Sequence, residues 1–284
     1  MKYILRSLLF ALMVFISQLS FAQKKFAHPE RVRYDGSCMT IEGKDVFVYS
    51  AAFHYFRCPE ELWKDRFRQI KEAGFNTVET YVPWNWHERT MPLSLDDTTH
   101  FDFSDLKRWL KMAQDEYGFY TIVRPGPFIC AEYSGGGYPR WLAKYRPESV
   151  DDFWLRSADE RHIRWSQHWF DAVCKAVADE QITRKPVGDK GIILIQIENE
   201  YNHHGCDGKE KLLKALYSSV RKSGMDIPVF TCLTNECRSS RDPELSQVFD
   251  SDNYYVGLSS APDCAYRMSN LKKAQPDAPG FVTE

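Results

Sequence analysis

Ile192-Ile193-Leu194-Ile195-Gln196-Ile197-Glu198-Asn199-Glu200-Tyr201 (residues 192–201) is the stretch that decides the fold. Ile192 to Ile197 is a nearly unbroken β-branched run, the pattern of a strand buried on both faces, as in a parallel sheet covered by helices. Three polar residues follow at once. Burying carboxylates at a strand end is costly without a partner or a purpose. On a regular strand Glu198 and Glu200 point to one side and Asn199 to the other, unless a bulge intervenes. A structural ion pair with a nearby Arg or Lys would satisfy such carboxylates; so would a catalytic site.

Outward from this stretch, strand-like and helix-like segments alternate. Val46 to Ala52, Phe75 to Val82, Phe119 to Val123, Pro228 to Leu233, Tyr254 to Leu258 and Phe281 to Thr283 read as further strands. Pro59 opens a helix with Trp63, Phe67 and Ile70 on one face, ended by Gly74. Ser104 is expected to cap a helix burying Leu106, Trp109, Leu110 and Ala113, ended by Gly118. Ser157 and Glu160 read as a capping box before a helix with Trp165, Trp169 and Val173. Leu212, Leu213 and Leu216 mark another, ended by Gly224. Repeated βα units imply a parallel sheet, closed as a barrel or open and doubly wound. No GxGxxG or P-loop follows the first strand, which weakens the nucleotide-binding doubly wound option. His54, Asn85, His87, Glu132, Asn199 and Glu200 all fall just after strands, where a barrel carries its active site. The expected fold is α/β, a (β/α)8 TIM barrel.

The 284 residues suit one such barrel, which takes about 250. A formal net charge of −2 gives no electrostatic case for nucleic acid. Fifteen Tyr and eight Trp suit a site that grips flat apolar faces. Residues 1–22 read as a secretory signal: Lys2 and Arg6, an apolar run from Leu8 to Ile16, then Ser20-Phe21-Ala22 before Gln23. The run is short for a bilayer of about 30 Å. Cleavage after Ala22 would leave residues 23–284 as a secreted or periplasmic barrel with no stable membrane insertion. The eight cysteines include no CxxC pair. Cys232 and Cys237 are close enough to bridge, and free buried thiols fit equally well.

Several blocks resemble glycoside hydrolase family 35, the β-galactosidases. Ser50 to Arg57 (SAAFHYFR) with Pro59 and Trp63-Lys64-Asp65-Arg66 resembles its first strand and helix. Ala73-Gly74-Phe75-Asn76 leading to Thr80-Tyr81-Val82-Pro83-Trp84-Asn85-Trp86-His87-Glu88 is one specific block, and Arg124-Pro125-Gly126-Pro127-Phe128-Ile129-Cys130-Ala131-Glu132 is another. With Asn199-Glu200 and Val282-Thr283-Glu284, the likeness covers residues 40 to 284. It implies a retaining, exo-acting hydrolase that releases terminal β-D-galactose from oligo- or polysaccharides. Glu200 would be the acid/base and Glu284 the nucleophile. Tyr81, Cys130, Ala131, Glu132 and Asn199 would hold the galactosyl unit, with Asn199 on its 2-hydroxyl. The residues after Asn199-Glu200-Tyr201 and after Cys130-Ala131-Glu132 depart from the family's usual pattern, on the aglycone side.

The chemistry explains the residue types. One carboxylic acid protonates the leaving oxygen while a carboxylate roughly 5–5.5 Å away attacks the anomeric carbon. The expected reaction needs no cofactor and no metal. His203, His204, Cys206 and Asp207 are the nearest approach to a ligand cluster, and adjacent loop histidines rarely aim at one ion. His54 and His87 read as hydrogen-bonding supports rather than bases. At least one of Trp84 and Trp86 is expected in the core. Arg124 is expected to pin a carboxylate. Other β-linked sugars, or an inactive sugar-binding barrel, are the competing readings. Counting places Glu284 at the tip of the seventh strand. The sequence therefore predicts a barrel truncated after about that strand and incomplete at its C-terminus. Residues 23–284 alone are then expected neither to fold stably nor to turn over substrate.

Overall fold

The structure, a computed structural model, describes residues 26–145, 154–201, 208–232, 242–253, 255 and 263–284. The signal-like segment, His203, His204, Cys206, Asp207, Cys237 and most of Tyr254 to Leu258 lie outside these residues. The described chain begins with an antiparallel meander of β1 (Val32–Tyr34), β2 (Met39–Ile41) and β3 (Lys44–Val46). Its β2–β3 turn is Glu42-Gly43, with φ of 50° and 75°. Two left-handed residues match the twist of a two-residue hairpin. Strands of three residues carry too little pattern to be read in sequence, and this meander was not expected. Arg31 donates to the carbonyls of Ile182 at 2.6 Å and of Lys185 at 3.1 Å. The Tyr34 ring meets Phe249 edge-on at 4.8 Å. The meander therefore lies at the end of the main sheet where the chain enters its later strands.

That sheet has six parallel strands whose order follows the chain: β4 (Ser50–Ala52), β5 (Thr77–Tyr81), β6 (Tyr120–Arg124), β7 (Ile192–Gln196), β8 (Val229–Cys232) and β9 (Val248–Ser251). Val78 pairs with Thr121, Ile195 with Val229 and Phe230 with Phe249. A parallel bridge between Asp252 and Val282 carries the pattern to a seventh segment. There the Asp252 amide donates to Phe281 O at 2.9 Å and the Thr283 amide to Asp252 O at 3.1 Å. Helices α1 (Trp63–Glu72), α2 (Trp84–His87), α3 (Ser104–Lys111), α4 (Glu160–Val177), α5 (Lys209–Lys222) and α6 (Asp263–Ala274) lie between or after the strands. A parallel sheet in chain order with intervening helices is the arrangement of a TIM-barrel-like α/β fold. No helix among the described residues is long and apolar enough to cross a membrane.

Strand β7 is fully buried from Ile192 to Ile195, as its composition requires. Trp63 and Phe67 of α1, and Leu106, Trp109 and Leu110 of α3, are likewise buried. Trp169 of α4 stacks on Trp84 at 5.9 Å and donates from Nε1 to Pro125 O at 2.8 Å. Gly74, Gly118 and Gly224 stop their helices at φ of 87°, 66° and 83°.

Two local expectations are corrected. Ser104 is the first helical residue rather than the cap, and its amide donates to the Asp102 carboxylate at 2.9 Å. Asp159, not Ser157, caps α4, accepting from the Arg161 amide at 2.8 Å. In both places a charged acceptor beats a hydroxyl nearby. A strand not expected from the sequence, Val248–Ser251, follows β8. Its Asp250 disguises it, yet the Asp250 amide and carbonyl are matched by the Gln275 amide group at 2.8 and 2.6 Å.

Trp169→Ala should cost about 3–5 kcal/mol of unfolding free energy through the cavity it leaves. Asp159→Ala should cost about 1 kcal/mol through the lost cap. Denaturant unfolding monitored by circular dichroism measures both; similar values for the two would contradict this packing.

Candidate active site

The polar residues gather where the parallel strands end. Glu79 and Tyr81 are two apart on β5 and so share a face. Arg124 closes β6 and Gln196 closes β7. Asn199 and Glu200 follow β7, Asn253 follows β9, and Glu284 follows the bridge at Val282.

Arg124 organises this group. It is 1% exposed, and its guanidinium reaches five acceptors. Nε donates to Gln196 Oε1 at 2.5 Å. Nη1 donates to Glu79 Oε1 at 3.2 Å and Thr283 O at 3.3 Å. Nη2 donates to Asn199 Oδ1 at 3.2 Å and Glu284 Oε1 at 2.7 Å. Its flat face lies 4.1 Å from the Tyr81 ring centroid. Five fixed donors in one plane are what only arginine supplies. The expectation that Arg124 pins a carboxylate understated its reach, since it pins two.

Glu284 also accepts from the Tyr81 hydroxyl at Oε1 and from the Tyr255 hydroxyl at Oε2, the latter at 3.1 Å. Burial, with a smaller push from Glu79, raises the Glu284 carboxyl to about 7. Glu200 is half-buried, and its Oε1 accepts from Asn253 Nδ2 at 3.2 Å. Asn253 is itself held, its Oδ1 accepting from Thr283 Oγ1 at 2.6 Å and its carbonyl from Arg267 at 2.8 Å.

Glu198 and Glu200 do not continue the strand's alternation. Both take left-handed backbone, φ 55° and 50°, with their amides donating to Gly126 O at 2.7 Å and Cys232 O at 2.8 Å. Such conformations cost about 1–3 kcal/mol each and hold only where the surroundings impose them. They separate the two carboxylates. Glu198 is fully buried, 3.3 Å from Arg156 and accepting the Asn199 amide at 2.8 Å. Burial pushes its pKa up, against Arg156. Glu198 thus matches the ion-pair reading of a strand-end carboxylate, while Glu200 is the one left facing the cluster. Asn199 Oδ1 accepts from Arg124 and from Gln196 Nε2 at 2.9 Å, whereas its buried Nδ2 has no partner among the described residues.

Cys130, Ala131 and Glu132 are three consecutive left-handed residues, φ 51°, 52° and 45°. The Ala131 carbonyl accepts from Arg57, and the Tyr133 amide donates to Cys130 O at 2.9 Å. Cys130 is half-buried, Ala131 buried and Glu132 exposed. The charges of Glu200 and Glu132 both act on the Tyr255 hydroxyl, whose pKa is raised first by desolvation and then by these carboxylates.

His54 and His87 are supports. Burial holds both near pKa 4, hence neutral above that. His54 Nδ1 accepts the Tyr81 amide at 3.4 Å; His87 lies 2.6 Å from the Tyr55 hydroxyl and 2.5 Å from Asp102 O. Trp84 is fully buried, with Nε1 donating to Glu88 at 2.7 Å; Trp86 is half-buried at Asp105. Cys232 is a buried free thiol. Sequence reasoning missed Glu79, Asn253 and Tyr255. Glu79 had a findable signal: a carboxylate two residues before Tyr81 within an otherwise buried strand.

Fold and site together define a TIM-barrel-like α/β domain with carboxylates grouped at its strand ends. A family model described as glycosyl hydrolases family 35 matches residues 38–284, and the chain belongs to that family. It is 38% identical over 182 residues to "Beta-galactosidase-1-like protein 3" of Rattus norvegicus, covering 62% of this chain and 26% of that protein. It is 32% identical over 255 residues to "Probable beta-galactosidase B" of Aspergillus niger, covering 82% and 22%. To "Exo-beta-D-glucosaminidase" of Pyrococcus horikoshii it is 41% identical over 125 residues, covering 42% and 15%. The chain thus spans about a quarter or less of these relatives' lengths. The crystal structure of the β-galactosidase from the psychrophilic Marinomonas ef1 superposes with a TM-score of 0.59 at 10% identity, over 80% of this chain and 46% of that one, a likeness of fold.

In carbon-13 NMR of glutamate-labelled protein, the Glu284 carboxyl should titrate near 7. Tyr81→Phe removes a donor to its anionic form, so its midpoint should rise. A fall, or no change, would show that the Tyr81 hydroxyl does not stabilise the carboxylate.

Proposed function

We propose that this chain carries the catalytic barrel of a retaining β-galactosidase that releases terminal β-D-galactose from oligo- or polysaccharides. The observation that carries the reading is Glu284, a strand-end carboxylate held at Oε1 by Arg124 and Tyr81, in one cluster with Glu200 on the tip of β7. Glu284 attacks the anomeric carbon as Glu200 protonates the departing glycosidic oxygen. The ester so formed is then hydrolysed by a water that Glu200 deprotonates. The unpaired Asn199 Nδ2 is a donor suited to the sugar's 2-hydroxyl. Tyr81, Cys130, Ala131 and Glu132 complete the galactosyl subsite. Export after cleavage at Ala22 belongs to the same reading, and the secreted protein should begin at Gln23 by N-terminal sequencing.

A second sugar has specific support, because the exo-β-D-glucosaminidase of Pyrococcus horikoshii is among the relatives. A panel of nitrophenyl β-glycosides separates the two. Preference for the glucosaminide over the galactoside would overturn the galactose reading while keeping the hydrolase.

Glu200→Gln should lower kcat/KM on galactosides with poor leaving groups by about 10²–10⁴-fold, the usual worth of general acid–base catalysis. A dinitrophenyl galactoside needs little protonation, so its first step should survive better. Azide should rescue the second step because it needs no base. NMR of the first product should show the β-anomer. Equal loss on all substrates without azide rescue would remove Glu200 from the acid/base role, and an α-anomer would exclude double displacement.

A further inference from the structure

Arg124 serves two carboxylates, and the proposed reaction uses one. Glu79 projects from β5 into the sheet interior, 6% exposed. Its Oε1 is 3.2 Å from Nη1 of the guanidinium whose Nη2 is 2.7 Å from Glu284 Oε1. We infer that Glu79 is a positioning residue acting through Arg124: it is the counter-ion that keeps this buried guanidinium paired when Glu284 becomes an uncharged ester. The inference rests on the reading of Glu284 as nucleophile.

The charge balance is explicit. A Glu284 carboxylate oxygen forms a bond to the anomeric carbon while the bond from that carbon to the leaving oxygen breaks. The electron pair departs with the leaving group, and the negative charge of Glu284 is consumed in the ester. Arg124 then loses one of its two anions at 1% exposure. A buried cation stripped of its partner is strongly destabilised. Glu79 removes that penalty from the intermediate. In the free site it also divides the guanidinium, so that Glu284 is not over-stabilised in the ground state, where added stabilisation would not speed the reaction. The push of Glu79 on the Glu284 titration has the sign this sharing requires.

The surrounding groups leave Glu79 as the candidate. Tyr81 comes from β5, Gln196 and Asn199 from β7 and its end, Thr283 from the bridged segment, and Tyr255 from beyond β9. His54, behind Tyr81, is held near pKa 4, and the Cys232 thiol is pushed up to about 12, so both are neutral where the reaction would be measured. Glu200 stands across the site on Asn253.

The test uses 2,4-dinitrophenyl 2-deoxy-2-fluoro-β-D-galactoside, whose leaving group needs no proton from Glu200. Peptide mass spectrometry identifies the labelled residue, and the inactivation rate constant is followed against pH. In Glu79→Gln the label should stay on Glu284. The acid limb should move down by about one pH unit, because a like charge is gone and Arg124 turns wholly to Glu284. The plateau rate should fall about tenfold or more, as Arg124 is stranded in the ester. Glu79→Asp, which keeps the charge, should hold the limb near its original pH. Labelling at Glu284 with an unmoved limb would overturn the inference alone; labelling elsewhere would overturn the nucleophile reading. Should Glu79→Gln not fold, carbon-13 NMR of the trapped glycosyl-enzyme replaces it. An ionised Glu79 there supports the inference, and a protonated one overturns it.

Discussion

A single guanidinium holds this site together. Arg124 sits at the end of β6 with donors directed at residues from β5, β7 and the Thr283–Glu284 segment. A buried cation of this kind is stable only if its donors are matched, because desolvation costs several kcal/mol per ion. The five acceptors meet that demand, and in meeting it they lock three neighbouring strand ends to one another. Glu79, Gln196 and Asn199 therefore shape the site through Arg124 as well as through their own chemistry.

Around this hub the backbone takes conformations that side-chain-bearing residues rarely adopt. Cys130, Ala131 and Glu132, and then Glu198 and Glu200, are all left-handed. These five residues lie in the two loops that follow β6 and β7. Each is tied down by specific bonds: Arg57 to the Ala131 carbonyl, and the Glu198 and Glu200 amides to Gly126 and Cys232. Strands β5 to β9 are almost wholly buried and paired in parallel along the sheet, and they supply the rigidity that such turns require. Strain at the strand ends and ease in the strands are the usual division of labour in an α/β barrel, where the scaffold is generic and the loops are particular.

Family 35 membership places these residues in a wider setting, since relatives named as β-galactosidases and as exo-β-D-glucosaminidases match parts of the same chain. The proposed hydrolysis of a β-linked sugar draws on the barrel and on the carboxylates at its strand ends. Glu132 is exposed and takes no part in the hydrogen bonds of Arg124.

The sequence by itself determined the parallel sheet, because the run Ile192–Ile197 suits only a strand covered on both faces, and helices ended at Gly74, Gly118 and Gly224 by glycine's access to left-handed backbone. It also set Asn199 and Glu200 at the end of that strand, where their polarity has no cheap structural explanation, while Glu284 and Tyr81 were singled out by the resemblance to family 35. Tertiary structure decided the rest. Strand β9 was hidden because Asp250 interrupts its apolar run, and the Gln275 amide group that binds the Asp250 backbone lies 25 residues away, a pairing no local pattern displays. Glu198 and Glu200 read as equivalents on one strand face, and only left-handed turns send one to Arg156 and the other towards Asn253. Glu79, Asn253 and Tyr255 gain their roles from neighbours 45, 53 and 29 residues distant. Periodicity and composition report on local burial, whereas the sharing of one cation between two carboxylates is set by where separate strands end in space.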